Sequence, residues 1–264
     1  KEEFSEVLRN DGERYFEHLR AVANITLNDL DNPSVDKVLI ALFHDVIEDK
    51  ENYDFHALKP YGVKNAIVVE ALSKKPWMGY LSEEEQAEYN TWKNQAILDN
   101  REGLRAEELM KIWKERRNVE YFGHLESFDS MMEYIRELAT KHGEEFTQAE
   151  FEEMTQNAFD VKFADRIHNL STQWDPNDTQ KVEKKIQETE QYFLPIAQKI
   201  NPKACKQMQF YIKNLNINLA NAEDKINDVV SLSGDIRIWD DGVVMIDGEF
   251  VTQACVGQTN KYLT

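Results

Sequence analysis

His44 and Asp45 are adjacent in Ala41-Leu42-Phe43-His44-Asp45-Val46-Ile47-Glu48-Asp49, so two metal-ligating side-chain types and two further carboxylates share a very short stretch. Imidazole and carboxylate together suit an intermediate divalent ion such as Mn, Fe, Co, Ni or Zn. The same residues also describe a solvated helix end. Val35, Val38, Leu39, Leu42, Val46 and Ile47 recur at three-and-four spacing, which predicts one helix running through Asp49, with Asn32 as N-cap and Pro33 as its first residue. In that frame Asp45, Glu48 and Asp49 stand at the negative end of the helix dipole, each disfavoured by roughly 0.3–1 kcal/mol, and a cation offsets them.

Two further segments offer ligands. His18 lies in Tyr15-Phe16-Glu17-His18-Leu19-Arg20-Ala21-Val22-Ala23, beside a helical apolar stripe of Leu19, Val22 and Ala23. Asp165 lies in Lys162-Phe163-Ala164-Asp165-Arg166-Ile167-His168-Asn169-Leu170, where Phe163, Ile167 and Leu170 form an apolar side. Asp165, His168, Asn169 and Thr172 then form one polar stripe along the helix. Spacing alone leaves that stripe free to face either solvent or a site.

The order His18, His44-Asp45, Asp165 resembles the H...HD...D signature of the HD-domain metal-dependent phosphohydrolases. Arg9-Asn10-Asp11-Gly12-Glu13-Arg14-Tyr15 before His18, the His44 to Asp49 run, and Lys162 through Thr172 are similar to the hydrolase domain of the RelA/SpoT alarmone enzymes, as is Glu188-Thr189 through Ala197. The likeness spans about residues 1 to 205 with one insertion. It departs from the family at Leu19, at Ser73-Lys74-Lys75, and at Asn157 and Asp160, which bear on substrate choice rather than on the ligands. The resemblance implies that His18, His44, Asp45 and Asp165 bind one Mn2+-like ion per chain. It makes Glu48 and Asp49 the catalytic carboxylates, one orienting or deprotonating water and one protonating the departing group, in an order left open. Arg9 would pair with phosphate oxygens. Asn169 and Thr172 would touch the nucleotide. Arg166 and His168 would shape the wall beside Asp165, with a structural ion pair the alternative for Arg166. Lys74 and Lys75 would either meet a terminal phosphate or stand solvated.

The elements that must position these residues read as mainly α. The expectation is an HD-domain helical bundle over residues 1–210, with an inserted helical segment at about 76–153. Trp92, Ile97, Met110 and Trp113 look like packing residues of an inserted hairpin, with a lid or partner-binding role as the alternative. Residues 211–264 read as a C-terminal helix followed by a small β-meander, because Asp241-Gly242 and Asp247-Gly248 separate short β-like runs. The tail is free to pack on the body, cap the pocket or join subunits of a homo-oligomer. A formal net charge of −18 argues against a nucleic-acid surface, while a small polyphosphorylated nucleotide remains compatible through the metal and local Arg and Lys. Cys205 and Cys255, far apart and in no metal-like spacing, suggest a reducing compartment, and no long apolar run predicts a membrane span; a cytoplasmic location is expected. The part of the chain beyond the hydrolase pattern is too short for an alarmone synthetase. The expected activity is removal of pyrophosphate from the 3′ position of ppGpp or pppGpp. The alternatives are an HD enzyme for another nucleotide (an adenosine alarmone, NADPH or a cyclic dinucleotide) or a nucleotide-sensing module without turnover.

Overall fold

Apolar residues recur at helical spacing along much of the sequence, and the chain is mainly α-helical. The computed structural model describes residues 15–50, 52–74, 79, 81–98, 104–172, 174–176, 178–231, 236–238, 243–246 and 249–253. Arg9, Lys75, Cys255 and both Asp-Gly dipeptides of the tail lie outside the described residues.

The helices are α1 (Tyr15–Asn28), α2 (Val35–Phe43), α3 (Val46–Asp49), α4 (Phe55–Leu58), α5 (Val63–Leu72), α6 (Glu83–Leu98), α7 (Leu104–His124), α8 (Phe128–Lys141), α9 (Gln148–Thr172), α10 (Thr179–Glu188), α11 (Leu194–Ile200) and α12 (Pro202–Ser231). A 3₁₀ turn (Lys59–Tyr61) precedes α5, and a π-helical turn (Thr189–Phe193) joins α10 to α11. Three short segments, Ile236–Ile238, Val243–Ile246 and Glu249–Gln253, pair antiparallel in chain order.

Long α9 is the axis of the body: α1, α2, α5, α8 and α12 all pack against it. Its sequence has no single apolar face, because neighbours surround it: Phe159, Val161, Phe163, Ala164, Ile167 and Leu170 are all buried. They join Leu19, Val22, Ile40, Ala41, Ile67, Met131, Ile135 and Phe193 in one continuous core. Within the expected insertion, α6 and α7 form a smaller cluster, with Trp113 buried against Leu81 and Tyr89 and Met110 packed beside them. Trp92 of α6 is half-buried. Residues 128–153 belong instead to the main core through Met131, Ile135, Leu138 and Phe151.

Helix starts follow side-chain chemistry. Ser82 and Glu85 cap each other's backbone N–H groups at α6, and Thr147 and Glu150 do the same at α9. Two sequence expectations are corrected at α2. Its N-cap is Ser34, whose hydroxyl accepts from the Lys37 N–H at 3.2 Å, and not Asn32, which takes φ 54°. Asn tolerates that left-handed geometry, and a residue before proline avoids the right-handed helix, so the helix begins later than predicted. Nor does one helix run through Asp49. α2 ends at Phe43, His44 and Asp45 form a turn, and α3 is a separate four-residue helix. The His44 imidazole bonds back to the Ala41 carbonyl at 2.8 Å, competing for the acceptor that the Asp45 N–H would use in a continuing helix.

Candidate metal centre

α1, the α2–α3 turn and α9 meet where their polar residues face inward. Leu19, Val22, Ala41, Ala164 and Ile167 pack the three elements together, and their burial fixes the facing side chains. His18 Nε2 lies 3.4 Å from Asp165 Oδ1 and 3.7 Å from Asp45 Oδ2. His44 Nε2 lies 3.1 Å from Asp45 Oδ2 and 3.7 Å from Asp165 Oδ1. His18, His44 and Asp165 are all buried, and one ligand atom from each falls within 4.8 Å of the others, a geometry compatible with a divalent ion. Asp45, half-buried, lies beside this triad, its Oδ2 within reach of both imidazole Nε2 atoms. The break after Phe43 is what allows this, because it turns Asp45 off the path of α2.

Each ligand-type side chain is held from behind. The Ala41 carbonyl is only an acceptor, so His44 donates from Nδ1 and turns its Nε2 toward the carboxylates. That buried Nε2 has no hydrogen-bond partner. His18 Nδ1 lies 2.8 Å from His168 Nδ1, a buried contact between residues 150 positions apart. The Tyr15 hydroxyl donates to Asp45 Oδ2 at 2.6 Å. Asn169 Nδ2 donates to Asp165 Oδ1 at 2.6 Å, and Lys162 Nζ stands 3.1 Å from the other Asp165 oxygen.

Charge is concentrated accordingly. Burial would push His44 down, but the Asp45 and Asp165 carboxylates raise it to about 10. Burial opposes ionisation of Asp165, yet Lys162 and the two imidazoles hold it well below the usual carboxylate range. Asp45 is likewise lowered, burial being outweighed by His44 and His18. Burial and the neighbouring Asp45 and Asp49 carboxylates raise the Tyr15 hydroxyl, which keeps it a neutral donor.

Glu48 and Asp49 stand exposed on α3 beside this cluster. Glu48 Oε2 accepts from the Lys74 backbone N–H at 3.2 Å, which ties α3 to the end of α5. Asp49 is raised, chiefly by desolvation. Of the residues assigned to the substrate side of the site, Arg166, expected in its wall, is buried, 3.4 Å from Glu188 and stacked over Phe193 at 4.1 Å, so the ion pair left open for it is present. Asn169 bonds Asp165. Thr172, exposed, bonds the His168 carbonyl of its own helix at 3.1 Å. Lys74 and Lys162 both approach the Tyr121 ring, at 5.1 and 5.5 Å. Burial and the nearby Lys162 charge lower Lys74, while burial and Arg166 push Lys185 down to about 8, so several cations share one side of the cluster.

The sequence reading gave no partner to Tyr15, Lys162 or His168. The first two carried a signal: each stands three positions before a ligand on the same helix face, Tyr15 before His18 and Lys162 before Asp165. The partner of His168 comes from another helix, and spacing cannot reveal it. No protein-family model, no curated protein and no solved structure matches the chain.

Proposed function

We propose that this chain is a metal-dependent phosphohydrolase of the HD type that removes pyrophosphate from the 3′ position of ppGpp or pppGpp, yielding GDP or GTP. The observation that carries the reading is the convergence of His18, His44 and Asp165 from three separate elements on one buried point, with the Asp45 carboxylate beside both imidazoles as the fourth ligand we assign. The donors fit a divalent cation such as Mn2+, since His44 Nε2 is buried without a hydrogen-bond partner beside two carboxylates held ionised, and a bound cation would displace the proton that those carboxylates favour on it. When bound, such an ion supplies Lewis acidity toward a phosphoryl oxygen and acidifies a coordinated water.

The chain's own residues do the rest. Hydrolysis joins a water oxygen to the phosphorus next to the ribose, breaks the bond from that phosphorus to the 3′ oxygen, and returns one proton to that oxygen. Asp49 and Glu48, side by side on α3 with Glu48 anchored on the Lys74 N–H, are the carboxylates we assign to deliver that proton and to receive one from water. Tyr15, donating to Oδ2, holds the Asp45 carboxylate in place. The three C-terminal strands are read as a β-meander appended to the HD bundle.

A second reading has its own support. Arg166, Asn169 and Thr172 are engaged with Glu188, Asp165 and the α9 backbone, which leaves the nucleotide less constrained and favours an HD enzyme for a different nucleotide. One assay separates the two: metal-stripped protein resupplied with Mn2+ and offered a nucleotide panel with product identification. Pyrophosphate release from ppGpp supports the first reading, turnover of another nucleotide alone the second, and tight binding without products a sensing role. Asp45→Ala is expected to lose both bound Mn2+ and turnover. Glu48→Ala and Asp49→Ala are expected to keep the ion and lose about 100-fold or more in rate, and wild-type turnover in either removes that carboxylate from the mechanism.

A further inference from the structure

The two imidazoles of the centre are fixed by unlike partners. His44 faces a carbonyl, which can only accept, so one tautomer is imposed. His18 faces another imidazole, and the 2.8 Å contact between the two Nδ1 atoms contains a single hydrogen that either ring can own. If His18 owns it, His18 Nε2 is a lone pair aimed at Asp45 and Asp165, ready to bind a cation. If His168 owns it, neutral His18 carries its own hydrogen on Nε2, which then points at Asp165 Oδ1 3.4 Å away and blocks a ligand bond.

We infer that His168 is a positioning residue whose Nδ1 accepts the hydrogen bond from His18 Nδ1, selecting the His18 tautomer that binds metal. The role rests on the metal-centre reading above and extends it to a residue that touches neither ion nor substrate. His168 is itself buried, between helical neighbours that restrict its ring, and its contact with His18 spans α1 and α9. The rings also pack with centroids 4.8 Å apart, so an apolar replacement of similar size keeps most of the packing and removes only the acceptor. Partners behind metal-bound histidines typically account for about 10–100-fold in metal affinity.

The test compares wild type, His168→Leu and His168→Asn for Mn2+ and Zn2+ binding by calorimetry, with circular dichroism to establish folding. His168→Leu is expected to bind either ion about 10–100-fold more weakly, and His168→Asn, whose amide oxygen can accept from His18, to recover most of the loss. Equal affinity of His168→Leu and wild type overturns the role, as does an Asn variant no better than Leu. Long-range nitrogen–proton NMR of Zn2+-loaded wild type, with labelled histidine, does not depend on any variant folding. It is expected to show His18 protonated at Nδ1 and bound through Nε2, and the opposite tautomer overturns the proposal. Wild type that takes up neither ion overturns the metal centre and this role together, whereas wild-type affinity in His168→Leu overturns the role alone.

Discussion

Asn169 stands between two assignments that make different demands on one amide. The sequence resemblance places it against the nucleotide; the fold gives its Nδ2 to Asp165 Oδ1 at 2.6 Å, the oxygen that also faces both histidines. A carboxylate that loses such a donor is less well aimed and less readily ionised, so Asn169→Ala is expected to weaken Mn2+ binding by about 10-fold, measured by calorimetry without substrate. A variant that keeps wild-type metal affinity and raises only KM for the nucleotide returns Asn169 to the substrate. At this scale the meeting of His18, His44 and Asp165 was legible only through the family resemblance, because spacing alone left each of them free to face solvent. What the sequence did not show is which group backs each ligand: the partners of His18 and Asp45 lie 150 and 30 positions from them, on other elements.

Among the elements, α2, α9 and α12 are joined by a buried charge that the sequence marked only as an oddity. Asp160, one of the positions where the chain departs from the family it resembles, is almost wholly buried, 2.6 Å from Lys37 Nζ, and accepts from Asn201 Nδ2 at 2.8 Å; Asn201 in turn caps α12 through the Ala204 N–H. Lys37 spends its remaining donors on the Asp31 and Asn32 carbonyls, fixing the turn before α2 that carries His44 and Asp45 on its far end. Removing one partner leaves the other charged and dry, so Lys37→Met is expected to cost about 3–5 kcal/mol in urea unfolding. Lys37→Met with Asp160→Leu is expected to recover most of that, since an apolar pair of similar volume is often neutral or better. If the double variant is as unstable as the single one, the network holds the fold through the Asn201 branch and not through the ion pair. Helix content was readable, because apolar periodicity depends on neighbours a few residues away. The break after Phe43 was not, since the apolar periodicity continues unbroken into Val46 and Ile47, and a single side-chain choice by His44 ends the helix. The late start of α2 was equally hidden: Asn32 and Ser34 are both good caps, and Pro33 between them favours the second.

For the whole molecule the governing quantity is a net charge of −18 surrounding a centre proposed to receive a polyanion. Two ranges of electrostatics compete there. Lys74, Lys162, Lys185 and Arg166 lie within a few residues' reach of the cluster and act at short distance. The excess of Asp and Glu is spread over the rest of the chain and acts together at long distance. The Debye length decides which of them a nucleotide feels, at roughly 30 Å in 0.01 M salt and 8 Å in 0.15 M. In dilute salt an approaching polyanion meets the summed negative field, and near physiological salt only the local cations remain unscreened. With Mn2+ kept saturating, kcat/KM is therefore expected to rise between about 0.01 and 0.15 M NaCl, while kcat, set after encounter, stays nearly constant. Stopped-flow initial rates over that range measure both. The ordinary expectation for a highly charged ligand guided into a matching cleft is the reverse, a fall in kcat/KM with salt. Such a fall here would mean that the basic side of the cluster already dominates the field at long range, and that the acidic exterior contributes nothing to the approach of substrate.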